Sequence, residues 1–455
     1  MNNLIVAFVL FSVFWPLFGR DLPLPMGLSI KNLMLYSIAS LLIVRSAISG
    51  TLSIDNRELF FCYVFLIIYA ALSIVYVEYW ALIDNYSALS AIVYLKNQVI
   101  DPFVIIGVCY YGIGSQAEAR RLITMFLASI GIAFMLSVLS AAGVIGLGAG
   151  DVDYSFGSAR MTGPFGHPNE FGVLAAVVLP LFVAATANAS GVKRAFWVLL
   201  DLTAGVVLFS TASRSAVFGL LFGILATKHL YRKLPLLKIF AVMASMAIFV
   251  VGLATILISP NIVETTTERF SFDGQTLQYA SSGRTAVWSY ALEKMADQPI
   301  SFLTGFGWNA YEASNYALDV HSHYLNYLYN VGLIGAITIT LILIMIARKV
   351  RLAILYPGTD AGFFFAAFCT GWWALIFALV FIEMYVTWHL LAMLAGMFLR
   401  IAHFTETIST KSSLWDQGSG SVLPSTNKGV RSQNKESPMT GAGEDFQRGS
   451  RGFAR

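Results

Sequence analysis

The sequence predicts an all-α fold, a polytopic bundle of about twelve membrane-spanning helices with one large, partly helical loop. Two observations on composition support this prediction: 57% of the 455 residues are hydrophobic and only 12% are charged, whereas a soluble domain has about 25% charged residues. The third observation is that the apolar residues form long runs, since about 20 apolar residues in a helix cross about 30 Å of hydrocarbon.

Twelve apolar runs are candidate spans. They lie near residues 4–18, 28–44, 59–77, 99–113, 122–146, 169–189, 195–212, 215–229, 236–258, 324–347, 361–384 and 386–402. The first run has neither a basic start nor a small-residue cleavage site, so we interpret it as a retained helix rather than a signal peptide. The last two runs almost touch, which leaves the count open by one or two helices.

This pattern divides the chain into four parts. Residues 1–258 hold nine spans, residues 259–323 form the large loop, and residues 324–402 hold the last three spans. The tail, residues 403–455, is rich in Gly, Ser, Asn and charged residues. Such a segment buries too little apolar surface to offset its chain entropy, so we expect a disordered cytoplasmic tail.

The distribution of Lys and Arg predicts the orientation. With a cytoplasmic amino terminus, the five inner loops carry 13 of these residues, against 8 in the much longer outer loops. Cytoplasmic loops are enriched in Lys and Arg. The large loop is therefore expected to face the periplasm or the cell exterior.

The charge and the cysteines do not indicate nucleic-acid binding, disulfides or a metal site. The net charge of +4 comes from cations at helix ends, so it does not indicate nucleic-acid binding. Cys62, Cys109 and Cys369 lie within apolar runs, which is typical of packing residues rather than disulfides or metal ligands. We expect neither a metal nor a cofactor. No repeat of fixed period is visible, which weakens the interpretation as an inverted-repeat transporter.

Arg214 lies in FSTASRSAVFGLL, at an outer turn between two predicted spans. The positive-inside tendency argues against an arginine there, and Ser210, Thr211 and Ser213 predict a polar notch at the membrane edge. A guanidinium group matches phosphate oxygens with two parallel hydrogen bonds, so Arg214 is a candidate ligand of a lipid diphosphate. The alternative is an arginine that merely extends to the interface.

Arg284 lies in SSGRTAVWSYAL, where residues 281–283 are typical of a helix start. Trp288, Leu292 and Met295 follow at spacings of four and three, which predicts a short amphipathic helix with an apolar face. The start of a helix is already positive, so an arginine in its first turn favours an anionic partner. The alternative is a solvated loop arginine.

His321 and His323 lie in DVHSHYLNYLYNVGLIG, directly before the next predicted span. The His-x-His pattern suggests a metal site, but no third ligand is close in sequence. A histidine has an unperturbed pKa of about 6.5, which suits a general base. One of these histidines is therefore a candidate base, and the alternative is a pair of interfacial histidines that cap the helix.

Three further outer-side residues are candidates for the site, namely Lys96, Arg160 and His167. Lys96, in VYLKNQVIDP, is a cation that could reach a phosphate. His167 precedes Pro168 in GPFGHPNEFG, and proline in a first helical turn favours a structural role for this stretch. Residues 151–153 form an Asp-x-Asp pattern, which is weak as a metal signal and favours a loop.

The motifs occur in a characteristic order: TASRS with Arg214, GRTAVW with Arg284, then HSHYLNYLYNVGLIG with His321. GPFGHPNEFGVLAA precedes them at the start of the middle helices. On these motifs, over residues 160–345, the chain resembles the O-antigen ligase and Wzy-type polysaccharide polymerase family of bacterial inner-membrane glycosyltransferases.

The resemblance implies an inverting, metal-independent transfer of a glycan from undecaprenyl diphosphate to an acceptor hydroxyl at the periplasmic face. It implies that His321 activates the hydroxyl and that Arg214 and Arg284 hold the diphosphate, which needs charge stabilisation more than protonation. His323 occupies a variable position of the motif. The implied partners are the lipid-linked glycan, an acceptor glycan or lipid, membrane lipid and other proteins of polysaccharide assembly.

Several functional alternatives stay open. Polymerisation of exopolysaccharide or O-antigen units is favoured, because no segment resembles a module that binds a lipid A core. An O-antigen ligase would join finished glycan to lipid A core or protein.

A proton-coupled transporter or lipid-linked sugar flippase would use Asp201 and Glu383, carboxylates within apolar spans. A purely structural assembly partner would leave the outer cations replaceable. The outer loop of about 60 residues favours an enzyme, since loops beyond about 15 residues are usually functional.

Overall fold

The computed structural model describes residues 2–18, 28–50, 54–81, 83–146, 152–153, 159–230, 260–271, 283–314, 320–354 and 361–419. Contacts divide the chain into a first unit, Met1–Ser409, and a second, Thr410–Arg455. The first unit holds the helix bundle.

The described residues are mostly helical. The helices are α1 (Asn2–Phe18), α2 (Ile30–Ser49), α3 (Arg57–Tyr76), α4 (Ala88–Leu95), α5 (Asp101–Tyr111), α6 (Gln116–Ala141), α7 (Pro168–Ala187), α8 (Gly191–Ser210), α9 (Arg214–Leu230), α10 (Pro260–Ser271), α11 (Arg284–Asp297), α12 (Ser301–Thr304), α13 (Ala310–Ala313), α14 (His323–Ile354), α15 (Ala361–Ala378) and α16 (Trp388–Ser419). One short antiparallel ribbon pairs β1 (Val152–Asp153) with β2 (Arg160–Met161).

Seven described segments are long and apolar enough to cross a membrane. They are Ile30–Ser49, Arg57–Tyr79, Ala88–Tyr111, Gln116–Ala141, Pro168–Ala187, His323–Ala353 and Trp388–Ile408. Of the twelve predicted runs, eleven overlap a described helix, and the ninth, 236–258, lies outside the described residues. The helical membrane class is thus confirmed, whereas the count of twelve spans is not.

Small residues let the central helices approach closely. A Cβ atom at Gly219 or Gly223 of α9 would lie 2.7 or 2.1 Å from a carbonyl oxygen of α15. Gly371 of α15 in turn meets the backbone of α7, where its Cβ would lie 2.2 Å from Val177 O. Small residues at such spacing favour helix association in lipid, where dispersion contacts replace the hydrophobic effect. Helices α7, α9 and α15 therefore form the tightly packed centre.

A π-helical turn, Lys96–Ile100, joins α4 to α5. Pro102 follows it and has no N–H to donate to the carbonyl of Gln98, four residues earlier. That carbonyl instead accepts a hydrogen bond of 3.1 Å from Trp388 Nε1 at the start of α16. The proline therefore frees an acceptor that connects the fifth helix to the last one.

Helix α14 contains a break at Val331 and Gly332, which have non-helical backbone angles. The carbonyls of Tyr329 and Asn330 accept 2.8 Å hydrogen bonds from the N–H groups of Phe306 and Gly307 in the preceding segment. The segment after α12 is thus bound to the first turns of α14, and this bonding positions the end of the large loop.

The expectation that residues 403–455 are disordered is corrected in its first part, because α16 continues to Ser419. Within the first unit, His403 of this helix stacks edge-on against Tyr110 of α5. This contact is one that composition alone did not reveal. Residues 420–455 lie outside the described residues.

Candidate functional site

Arg214 is the first residue of α9 and follows a tight turn after α8. Ala212 adopts a left-handed conformation, with φ of 46°, and Ser213 O accepts from the N–H of Val217, which begins the helix. The polar notch expected around Arg214 is in fact buried, with Ser210, Thr211 and Ser213 at most 1% exposed. The reason is Gly172 of α7, whose missing side chain leaves room for Thr211 and Ser213.

Arg160 fixes this turn from the β2 strand. Its Nε donates to Thr211 O at 2.9 Å, and its Nη2 donates to Asn169 Oδ1 at 2.7 Å. A cation at the carboxyl end of a helix interacts favourably with the exposed carbonyls and the helix dipole. Arg160 therefore holds α8 against the start of α7, and the structure gives it a positioning role beside Arg214.

Helix α10 brings a second arginine to Arg214. Thr266 Oγ1 lies 3.4 Å from Phe209 O at the end of α8, and Thr265 Oγ1 accepts from the N–H of Ala159 at 3.1 Å. These contacts place the last turn of α10 beside the α8–α9 turn. Arg214 Nη1 there donates to Arg269 O at 3.4 Å.

Arg284 completes a group of three arginines. It opens α11 after Gly283, which has φ of 80°, and this agrees with the predicted helix start. Burial lowers the pKa of the Arg284 guanidinium from its ordinary value to about 10, and the charges of Arg269 and then Arg214 add to the effect. Its Nε is buried without a hydrogen-bond partner among the described residues. The environment of Arg284 therefore favours an anion that would restore both charge balance and hydrogen bonding.

The buried face of α11 differs from the predicted one by about one residue. Val287, Ala291 and Met295 are fully buried, whereas Leu292 is 43% exposed. The helix packs on a small hydrophobic cluster that includes Tyr311, and spacings of four fit this contact better than the predicted pattern.

Trp288 connects this helix to the segment that carries His321. It lies one helical turn after Arg284, a spacing that puts two side chains on the same face. Its ring stacks on Phe381, with 6.1 Å between ring centres, and its Nε1 donates to Val320 O at 3.1 Å. Helix α11 therefore binds the carbonyl of Val320, the residue directly before His321.

His321 adopts a left-handed backbone conformation, with φ of 50°. A non-glycine residue in this region is held there by its surroundings, and such residues cluster at functional sites. The next turn is anchored, because the N–H of His323 donates to Leu379 O at 2.9 Å and to Ile382 O at 3.0 Å.

His323 lies apart from solvent. Its side chain is 0% exposed, and its ring packs 4.8 Å from Tyr327 and 5.3 Å from Trp388, measured between ring centres. The structure therefore separates the two histidines: His321 is partly exposed at the loop, and His323 is a packing residue under it.

Lys96 belongs to a separate polar cluster at the start of α5. Its Nζ lies 3.1 Å from Asp101 Oδ2, and the same carboxylate accepts from Asn32 Nδ2 at 2.6 Å and from Tyr36. His389 Nε2 lies 3.6 Å from Asp101 Oδ2. The charge of Lys96 is thus balanced within the fold, and no contact among the described residues joins it to the three arginines.

His167 lies at the start of α7, where the sequence predicted a first helical turn, and Glu170 lies in that turn. His167 is the residue before the first helical position, and its Nδ1 is buried without a hydrogen-bond partner among the described residues. Glu170 Oε2 accepts from the backbone N–H groups of Val386 and Thr387, both at 3.0 Å. This carboxylate therefore caps the start of α16, which sequence reasoning did not anticipate.

The two carboxylates of the transporter alternative have different environments. Glu383 accepts hydrogen bonds from Tyr94 and from Asn326, which places it in a satisfied buried network. Asp201 is 8% exposed, and its Oδ1 has no hydrogen-bond partner among the described residues. Within the same residues, no three His, Cys, Asp or Glu side chains are grouped to hold a metal ion.

Sequence reasoning missed Arg269. It appeared in the sequence only as one of the outer cations, since VETTTERFS has no motif of its own. Its amphipathic pattern was the available signal: Ile262 and Thr266 are buried at a spacing of four. A helix across this stretch would have put Arg269 in its last turn.

Comparison with known families supports the motif analysis. Residues 199–340, about a third of the chain, match the family model described as O-antigen ligase. The matched segment contains Arg214, Arg269, Arg284 and His321. No curated protein matches the chain in sequence.

The apolar helices and this family match together indicate a multi-pass membrane protein. The match confirms the resemblance drawn from the motifs. Over residues 199–340, the chain is similar to the O-antigen ligase family.

Proposed function

We propose that the protein transfers a glycan from undecaprenyl diphosphate to an acceptor hydroxyl at the periplasmic face of the inner membrane. The observation that carries the proposal is the group of Arg214, Arg269 and Arg284, in which Arg284 Nε is buried without a partner among the described residues. A diphosphate supplies several acceptor oxygens and negative charges, and arginine binds them in a planar, bidentate way.

The proposed chemistry is a direct displacement. The imidazole of His321 accepts the proton of the acceptor hydroxyl while its oxygen bonds to the anomeric carbon. The bond between that carbon and the diphosphate oxygen breaks, and the electron pair leaves with the diphosphate. The three arginines stabilise the charge that develops there, which is where electrostatic catalysis acts. Attack opposite the leaving group inverts the anomeric centre.

We further propose that the acceptor is another lipid-linked repeat unit, so that the enzyme is a polymerase. The supporting consideration is that no segment of the sequence resembles a module that binds a lipid A core. A ligase would use the same donor-side residues, because the two reactions differ only in the acceptor hydroxyl.

Transfer by purified protein in lipid nanodiscs, with a polyprenyl-diphosphate-linked repeat unit as the sole substrate, tests the proposal. We expect Arg214→Gln, Arg269→Gln and Arg284→Gln to lower the rate by at least about 10²-fold, the usual effect of removing one charge-stabilising group. His321→Asn should lower it by about 10²- to 10⁴-fold. Asparagine tolerates the left-handed conformation of residue 321, so the fold should persist.

Lys294→Gln is the matched control, because Lys294 is an exposed cation on the same helix as Arg284. A ladder of oligomers from the single substrate identifies a polymerase, and products only after addition of a lipid A core identify a ligase. Wild-type rates in all three arginine variants and in His321→Asn would refute the enzyme proposal. Loss in Asp201→Asn instead would favour transport.

A further inference from the structure

A cavity of about 560 Å³ lies between the ends of α1, α2, α5, α6 and α16. Arg400 lines it, and the next residue, Ile401, lines a smaller cavity together with Asn188 at the end of α7. The start of α7 contacts Arg160 through Asn169, and Arg160 binds the turn before Arg214 at Thr211 O; a 20-residue helix is about 30 Å long. The cavity is therefore at the opposite end of the bundle from the candidate active site and independent of it.

The side chain of Arg400 is held rigidly in the cavity wall. Its Nε donates to Ile113 O at 3.0 Å. Its guanidinium carbon lies 4.3 Å from the ring centre of Phe404 and 5.1 Å from that of Tyr110. Contacts of this kind fix the plane of the guanidinium, so a ligand would meet a preorganised fork of donors.

The remaining wall adds positive charge and hydrogen-bond donors. Arg45 lines the cavity from α2, together with Ser46 and Ser49 of the same helix. Glu118 is the acidic residue of the wall, and its Oε2 accepts a 2.9 Å hydrogen bond from the N–H of Gly114. Two arginines thus share the cavity lining with one carboxylate that already serves a backbone group. A second carboxylate, Asp55, lies close by, with its Oδ2 3.4 Å from the hydroxyl of Tyr110, but it does not line the cavity.

The surface beside the cavity is apolar. Helix α2 is long and apolar enough to span a membrane, and its side chains Leu41, Ile43, Val44 and Ile48 are 49%, 62%, 55% and 83% exposed. Acyl chains in the bilayer would lie along these residues. Basic pockets between membrane helices on the cytoplasmic side bind the head groups of anionic lipids.

We propose that the cavity between Arg45 and Arg400 is a phosphate-binding site. The phosphate group of an anionic membrane lipid and soluble inorganic phosphate share the chemistry that two guanidinium groups recognise. The apolar flank of α2 distinguishes these sources, because only the lipid would also use that surface.

Binding to the purified full chain in detergent tests the site, with the thermal shift measured against short-chain phosphatidylglycerol, short-chain phosphatidylcholine and inorganic phosphate. Arg45→Gln removes one ligand without touching the packing of Arg400, and we expect it to weaken phosphatidylglycerol binding by about tenfold or more, the loss of one charge-assisted contact. Arg121→Gln is the matched control, an exposed arginine at the same end that lines neither cavity.

The binding results distinguish a lipid phosphate from soluble phosphate. Phosphatidylglycerol binding that Arg45→Gln weakens and Arg121→Gln preserves supports a lipid phosphate. Inorganic phosphate binding with the same dependence on Arg45, without lipid binding, supports the site with soluble phosphate as its ligand. Equal affinities in the two variants, or equal binding of phosphatidylcholine, overturn the proposal. Arg400→Lys keeps the charge but removes the fork, so it should weaken binding in parallel.

Discussion

A buried cation needs a counter-charge or hydrogen bonds, and Arg284 Nε has no hydrogen-bond partner among the described residues. Its lowered pKa of about 10 means that the fold disfavours the cation relative to the unfolded chain. This destabilisation is fully present at neutral pH and is lost only as the pH rises above about 10. Residues under such strain are typical of ligand sites, where stability is lower because function requires the group.

Arg284→Met should therefore stabilise the protein while abolishing transfer. Methionine fills a similar length of buried space and removes both the charge and the unpaired Nε. Thermal unfolding in detergent at pH 7 should give a higher midpoint than for wild type, and the transfer rate should fall. A lower midpoint would show that Arg284 is held by compensating contacts rather than poised for an anion.

Arg284→Lys tests the same environment through pH. Lysine has an ordinary pKa of about 10.4, and the same burial and neighbouring arginines would lower it. The variant should bind farnesyl diphosphate at pH 7 and lose affinity at a lower pH than wild type, since its cation is lost first. Calorimetric titration from pH 6.5 to 9.5 measures this, and wild type should lose less affinity over that range because the pKa of Arg284 is higher, at about 10.

At the scale of elements, the end of the large loop depends on a close backbone crossing. Gly332 has φ of 65°, and a Cβ atom there would lie 2.2 Å from Leu303 O; Gly305 meets Asn330 O in the same way, at 2.3 Å. The break in α14 brings these two segments together and fixes the described residues that follow α12. The geometry of the candidate site therefore depends on this backbone crossing.

Gly332→Ala should destabilise this crossing by about 1–3 kcal/mol, because the new side chain meets backbone and the left-handed angle disfavours it. Gly107 is the matched control: it lies inside α5 with nothing within 4 Å of its added Cβ. Gly107→Ala should leave stability unchanged or raise it by about 0.5–1 kcal/mol. Thermal midpoints of the two variants measure the difference, and equal midpoints would contradict the role of the crossing.

At the scale of the whole molecule, the two ends of the bundle differ in chemistry. One end gathers Arg214, Arg269 and Arg284 around a proposed diphosphate, and the other holds Arg45 and Arg400 around a cavity. The count of Lys and Arg in the loops predicts that the first end faces away from the cytoplasm. This orientation is what the proposed periplasmic reaction requires.

Cysteine labelling in intact cells tests the orientation. Ser289 is exposed on α11, Ala117 is exposed at the start of α6, and Cys109 and Cys369 are buried. In a Cys62→Ser background, we expect a membrane-impermeant maleimide to label Ser289→Cys directly and Ala117→Cys only after permeabilisation. The reverse pattern would invert the topology and place the arginines in the cytoplasm.

The sequence by itself determined the helical membrane class and identified three candidate site residues. Helix formation and insertion depend on local composition, and Arg214, Arg284 and His321 each lie in a short motif that can be read along the chain. Only the tertiary structure decided that Arg269 joins Arg214 from 55 residues away, that Asp101 balances Lys96, and that His323 is buried. These contacts depend on which helix faces pack together, and packing between distant segments leaves no periodic signal in the sequence.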